Sequence, residues 1–309
     1  MELLLLALLG IGTGAYGVLV GAGGGFILGP ILLLFLDLEP EVVAGTVLAS
    51  VAINSISGAS AYRAMKLVDY RSGLLFAAAA VPGSVMGAFG GGAVAPSTFR
   101  ILFGILLLVL AAQLAFRPNI PESNRTNKPT HMIAATVRSR HIVTENGEEY
   151  RYEFNEMLAT SFNVILGFIS SFFGTGGGFL RTPILISAFG FPVRVAAATS
   201  IFALSIYATA GAATHAALGH VEWWPTFALT GTGLVLGGQI GARLADRVSG
   251  PWILRLLLLV VLFLGIRPAC QLALGNATVF ALFSRRSSDL VFRLTLSSFP
   301  CSTFSTPHS

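Results

Sequence analysis

Long apolar runs joined by short polar segments make up most of residues 1–116 and 157–267. Runs near 42–62, 71–92, 97–116, 194–215, 224–243 and 251–267 each approach the ~20 residues a helix needs to cross a bilayer, and they predict six full spans. Two further runs, 3–36 and 157–190, are too long for one straight crossing, and glycines at 21–25 and 174–178 interrupt them. Consecutive glycines weaken a helix by about 1 kcal/mol apiece. Each of these runs therefore predicts either one long broken span or a hairpin of two shorter helices that bends inside the membrane.

The two broken runs are copies. At an offset of 153, GAGGGFILGPIL (21–32) aligns with GTGGGFLRTPIL (174–185), with eight identities in twelve positions. The same offset pairs Thr46 with Thr199, Gly58 with Gly211, Val68 with Val221, Asp69 with Glu222 and Tyr70 with Trp223. One residue of slippage later, Gly83-x-x-x-Gly87-Ala88 matches Gly237-x-x-x-Gly241-Ala242, a pattern of small residues that lets helix backbones approach closely in lipid. The chain reads as a tandem duplication: a first transmembrane repeat (1–116), a polar inter-repeat loop (117–156), a second repeat (157–268) and a tail (269–309). In the loop, Asn146-Gly147 between Ile142-Val143-Thr144 and Tyr150-Arg151-Tyr152 predicts a small β-hairpin with a type I′ turn. The Ser-rich end of the tail predicts poor order.

Composition excludes a water-soluble globule, since 54% of residues are hydrophobic and 11% charged, against about 25% charged in a soluble domain. The net charge of +5 resides in short loops, where it reports orientation in the bilayer and does not point to nucleic acid. Cys270 and Cys301 lie in no metal-like spacing, and no basic segment precedes the first apolar run, so neither a zinc site nor a cleaved signal is expected. If both broken runs are hairpins, loops 63–71, 190–194 and 243–255 share one face and carry seven Lys/Arg, against one in loops 36–41, 93–100 and 215–223. Single broken spans would put three inside and five outside. The positive-inside rule selects hairpins, and the copies then enter the membrane from opposite faces. The expected fold is an all-α transmembrane bundle of two inverted repeats, each with a Gly-interrupted helical hairpin, as in many secondary transporters.

Backbone leaves helical form at membrane depth only where protein or a watery cavity satisfies it. Two matched breaks therefore imply a cavity between the copies. A short helix starts after each break, at Phe26 and at Phe179, and such a start carries unpaired amides and about half a positive charge, which suits an anion. Arg181, matched by Leu28 in the first copy, adds a full charge in one copy only; it either binds the anion or snorkels to the interface. Thr175 in the second break, and Ser50, Asn54, Ser57, Ser200, Ser205 and Thr209 on the following helices, offer polar contacts or simply join helices. His215 could hold an anion or be structural, and Asp69 and Glu222 read as helix caps. The glycine runs lack the βαβ context of a nucleotide loop. No carboxylate falls inside an assigned span, so a buried acid relay for protons is not expected. An inside-negative potential drives an anion outward by about 2.3 kcal/mol per charge per 100 mV, which favours export.

The paired GAGGGFILGPILL and GTGGGFLRTPILI segments, the stretches ending in Val68-Asp69-Tyr70 and Val221-Glu222-Trp223, and the later Gly-x-x-x-Gly-Ala resemble the sulfite exporter TauE/SafE family over residues 3–267. The resemblance implies transport of small sulfur oxyanions or organosulfonates across a prokaryotic plasma membrane, with Gly23, Gly24, Gly25, Gly176, Gly177 and Gly178 shaping the central site. Arg181, Thr175, Asn54, Ser200 and His215 complete the candidate substrate contacts. The expected partners are a small anion and the lipid bilayer, with no nucleic acid and no cofactor; a homodimer is left open. An anion channel, a membrane-embedded enzyme and a scaffold acting through loop 117–156 are the competing readings.

Overall fold

The computed structural model describes residues 2–36, 38–115, 137–145 and 147–245. The expected span at 251–267, the tail and most of the inter-repeat loop lie outside them. The first repeat contains α1 (Glu2–Val20), α2 (Gly25–Phe35), α3 (Pro40–Ala64), α4 (Tyr70–Gly91) and α5 (Pro96–Ala115). Strands β1 (Val137–Val143) and β2 (Glu149–Asn155) follow. The second repeat contains α6 (Glu156–Phe172), α7 (Gly178–Phe189), α8 (Val193–Ala217) and α9 (Ala228–Ala245). Among the described residues, Leu3–Val20, Pro40–Ala64, Tyr70–Gly91 and Val193–Ala217 are long and apolar enough to cross a membrane. Outward-facing Leu74, Met86, Phe89, Ile165, Leu236 and Ile240 give the bundle an apolar exterior, which suits a lipid solvent.

The broken run 3–36 divides at its glycines into two helices of unequal length: α1 rises about 28 Å at 1.5 Å per residue, whereas α2 rises about 16 Å. One element differs from the sequence expectation. The run expected to start at 224 begins its regular helix at Ala228, because Pro225 holds Trp224 extended (φ −138, ψ 132) and residues 223–227 form a wide π turn.

The repeats pack by exchange of equivalent contacts. Gly83 and Gly87 of α4 lie against Val164 and Phe168 of α6, while Gly237 and Gly241 of α9 lie against Ile11 and Ala15 of α1. In both pairs backbone touches backbone, as the small-residue pattern allows, and the helices run parallel. By contrast α3 and α8 run antiparallel, with Gly45 against His215 and Gly58 against Ile201. The Asp69 amide donates to Thr199 Oγ1 at 3.1 Å, and the Glu222 amide to Thr46 Oγ1 at 2.9 Å. Both long helices end alike: Lys66 (φ 56) and Gly219 (φ 78) are left-handed, with Leu67 N bonded to Tyr62 O and His220 N to His215 O. This closes the last turn of α3 and of α8 in a Schellman motif.

The hairpin breaks the symmetry. Its strands pair antiparallel with Val143 opposite Glu149. The loop is one residue longer than a type I′ turn: Thr144 N donates to Glu148 O at 3.0 Å, and Gly147 has φ 80, the three-residue form. Tyr152 and Phe154 pack on Phe191, and Phe154 also meets Phe76. Buried Asp69 accepts from Tyr152 OH (2.8 Å) and Ser72 Oγ (2.6 Å) and faces Arg140 Nε at 3.4 Å. Asp69 also caps α4 through the Ser72 amide at 3.1 Å. Glu222, expected to cap likewise, makes no such bond; its carboxylate accepts from Thr226 Oγ1 at 2.6 Å.

Candidate functional site

At each break the chain reverses. Gly24 returns against Thr13 and Gly17 of α1, and Gly177 against Leu166 and Ser170 of α6. The reversals use left-handed backbone at Gly23 (φ 78), Gly24 (φ 92), Gly176 (φ 84) and Gly177 (φ 61), conformations that L side chains resist. No side chain caps α2 or α7, whose first residues are Gly25 and Gly178.

The breaks meet. Gly25 lies against the Thr175 carbonyl and Gly178 against Gly21 and Ala22. Phe26 and Phe179, the same position in each copy, stack on one another with centroids 5.5 Å apart and planes 13° from parallel. Thr182 Oγ1 donates to the Gly21 carbonyl at 3.1 Å, tying the second short helix to the first break. The break carbonyls are held from the long helices: Asn54 Nδ2 donates to Gly23 O at 2.9 Å, and Tyr207 OH to Gly176 O.

Arg181, the fourth residue of α7, is 1% exposed and does not snorkel. Its Nε donates to Asn163 Oδ1 at 2.6 Å, and its guanidinium carbon sits 4.5 Å from the centre of the Tyr207 ring. Nη1 and Nη2 have no hydrogen-bond partner, and among the described residues no carboxylate pairs with them. At the second break two hydroxyls are fully buried without a hydrogen-bond partner: Ser170, which lies against Gly177, and Thr175. In the first repeat, the places of Asn163, Arg181 and Tyr207 are taken by Gly10, Leu28 and Asn54. The cationic site is therefore one-sided.

The other expected contacts lie apart from Arg181 or carry structural bonds. Ser50 donates to Thr46 O at 2.9 Å and meets Thr230, and Ser57 meets Val235 O and Gln239. Ser205 and Thr209 bond back to their own helix. Ser200 is buried on α8 with its hydroxyl unpaired. His215 is fully buried in the last turn of α8, with Nε2 3.0 Å from the Ser171 carbonyl and its ring 5.6 Å from that of His220. Asn163, Ser170 and Tyr207 were not singled out from the sequence; the available signal was the alignment of Tyr207 with Asn54. A surface groove of about 500 Å³ beneath Arg138, between α4 and α6, is lined by none of the break residues. Among the described residues no group of three or more His, Cys, Asp or Glu could hold a metal ion.

The sequence model described as "Sulfite exporter TauE/SafE" matches residues 6–267. A Bacillus subtilis protein named "Probable membrane transporter protein YunE" is 31% identical over 279 residues, 88% of this chain and 97% of the relative. One from Methanocaldococcus jannaschii, "Probable membrane transporter protein MJ0441", is 28% identical over 276 residues, covering 84% and 91%. A "Probable membrane transporter protein" of Xylella fastidiosa is 26% identical over 233 residues, covering 75% and 80%. No solved structure matches. With nearly its whole transmembrane portion matched, the chain belongs to the sulfite exporter TauE/SafE family of membrane transporters.

Proposed function

We propose that this protein carries a small anion, such as sulfite, another sulfur oxyanion or an organosulfonate, out across a prokaryotic plasma membrane by alternating access between two inverted repeats. The observation that carries the reading is Arg181: a buried guanidinium at the amide-rich start of α7 with both Nη groups unpaired. Arginine keeps its proton in proteins. A buried charge without a counter-ion costs several kcal/mol, and a helix start repels a cation further. An oxyanion relieves all of these together, since a carboxylate-like edge accepts two bonds from the guanidinium fork.

The packing supports the inverted arrangement. Equivalent helices α3 and α8 run antiparallel, and the glycine contacts of α4 on α6 and the Asp69–Thr199 bond recur with the repeats exchanged, as α9 on α1 and Glu222–Thr46. A two-fold axis across the helices fits this pattern, and a bilayer spanned by them would meet the copies from opposite faces. The reversals at the glycines support hairpins with unequal arms, the long one crossing and the short one returning partway. Burial of Asn54, Thr175 and Arg181 favours a carrier closed around its site over a channel, whose filter meets water from both ends. The matched relatives are bacterial and archaeal, which supports a prokaryotic membrane.

The test is counterflow into proteoliposomes containing the full chain. Saturable uptake of labelled sulfite or a sulfonate, accelerated by the same anion inside, is expected. Conduction without countertransport would favour a channel, and no protein-dependent flux of any sulfur oxyanion would refute the reading.

A further inference from the structure

We propose that the groove between α4 and α6 holds one anionic diacyl phospholipid, with its phosphate on Arg71 and Arg138 and one acyl chain laid between the helices. The site lies apart from the breaks, so the inference stands whatever anion is carried.

The groove runs from a charged end to an apolar one. Its volume is about 500 Å³, and its lining passes from Arg138 and Glu156, through Leu75 and Ser161, to Ala79 and Val164. Because α4 and α6 run parallel from starts at Tyr70 and Glu156, this is a descent of about 12 Å at 1.5 Å per residue. Leu74 and Ile165, next in sequence to the lining, are exposed on the apolar exterior that meets lipid. The helices close on one another where Gly83 meets the Val164 backbone.

The mouth carries more positive charge than its carboxylate neutralises. Glu156 serves three arginines: Arg140 bonds it directly, and Arg71 Nε and Arg138 Nε stand 3.6 and 3.8 Å away, beyond hydrogen-bond reach. Arg140 is shared with buried Asp69, whereas the side chains of Arg71 and Arg138 are 65% and 55% exposed. Exposed pairs of this kind hold little energy, so both guanidiniums can turn to a phosphate, whose oxygens accept paired bonds from arginine. The other hairpin glutamates lie elsewhere. Glu149 and Glu153 alternate onto the opposite face of the sheet from Arg138, and Glu145 and Glu148 sit at the turn. Basic pockets between transmembrane helices are where anionic headgroups are held.

Ser161 adds a polar contact below the mouth. Thr209 and Thr232, exposed on other helices, bond back one turn at 2.6 and 2.8 Å, but the exposed Ser161 hydroxyl bonds to no other described residue. A hydroxyl facing hydrocarbon is costly unless paired, and a glycerol ester carbonyl beneath the phosphate pairs it. Arginines, Ser161 and Val164 thus meet phosphate, ester and chain in the order in which a phospholipid presents them. The chain's own residues 117–136 suit the mouth less well, since Arg117, Arg125 and Lys128 against Glu122 leave them positive.

The experiment offers phosphatidylglycerol and phosphatidylcholine to the full chain, purified in detergent and stripped of lipid, and counts bound molecules by native mass spectrometry. One phosphatidylglycerol should bind about 25-fold more tightly than phosphatidylcholine, about fivefold for each arginine. Arg71→Gln with Arg138→Gln should remove that preference. Ser161→Phe, which fills the groove, should lose the tightly bound molecule with both arginines in place. Equal binding of the two lipids overturns the anionic headgroup, and a preference that survives Ser161→Phe puts the lipid elsewhere and overturns the groove. Dimers trapped through Ser161→Cys, with Cys270 and Cys301 replaced by serine, would give the face to a second copy. Protection of that thiol from a lipid-soluble maleimide in lipid-free protein would give it to the chain's own residues, and either result overturns the proposal. If the double variant does not fold, Arg138→Gln alone should lower the preference about fivefold, and an unchanged preference overturns the headgroup site.

Discussion

Asn54 and Tyr207 stand at the same place in the two repeats and hold equivalent carbonyls, those of Gly23 and Gly176, with different chemical groups. The amide of Asn54 serves a break without a charge; the phenol of Tyr207 serves its break and also lays a ring on Arg181. Tyr207→Phe should keep the ring and leave the Gly176 carbonyl with the Gly178 amide as its donor, at about 1 kcal/mol for the lost hydrogen bond. Thermal unfolding in detergent checks this, and an unchanged midpoint in both Tyr207→Phe and Asn54→Ala would show that these bonds do not hold the breaks.

Two glycines should respond oppositely to a methyl group. At Gly176 (φ 84), a Cβ would meet Val51 Cγ1 at 2.7 Å, so Gly176→Ala combines strain with a clash and should cost more than about 1 kcal/mol. At Gly29, inside α2, a Cβ meets nothing within 4 Å, and Gly29→Ala should gain up to about 1 kcal/mol from helix propensity. Equal melting shifts of one sign would contradict the reading of the break.

Lys66 pays for a left-handed backbone that its counterpart Gly219 adopts freely. Lys66→Gly should stabilise the protein by about 0.5–1 kcal/mol, the αL cost less the extra entropy of glycine in the unfolded chain. Loss of stability would mean that the lysine side chain makes contributions beyond its backbone.

The hairpin should detach when its latch is cut. Asp69→Asn removes the charge that faces Arg140 and accepts from Tyr152, at about 3 kcal/mol for a broken buried pair. Amide hydrogen exchange across 137–155 should quicken well before that of α3 and α8.

A weaker acid dependence belongs to the exposed Glu149. Hydrogen bonds from His141 and Arg151 hold its carboxyl below the usual range. A depressed folded value contributes stability above the unfolded value and loses it as pH falls through the folded one. Glu149→Gln should therefore remove part of the acid-side increase in hairpin exchange; an identical acid profile would assign that increase to other groups.

The sequence made the duplication, the places of the breaks and the close helix contacts legible, because each depends on glycine at a position where a side chain cannot fit. Gly83, Gly87, Gly237 and Gly241 could be read as packing faces for that reason. Asn163 and Tyr207 were not legible: a single polar residue in an apolar helix has many uses, and only the fold brings α6 and α8 to either side of α7. The unequal arms of the broken runs were hidden because hydropathy reports length of apolar chain and not where a reversal falls. The wide turn at 223–227 follows from Pro225, whose restriction of Trp224 delays α9 by one turn.

The most direct test of two repeats facing opposite ways is thiol labelling of the equivalent loops after α3 and α8. Lys66→Cys and Leu218→Cys, each made with Cys270 and Cys301 replaced by serine, would be exposed in intact cells to a reagent that cannot cross the membrane. Label at Leu218→Cys alone is expected, with Lys66→Cys reacting only after the cells are opened; reaction of both from one side would contradict inverted repeats.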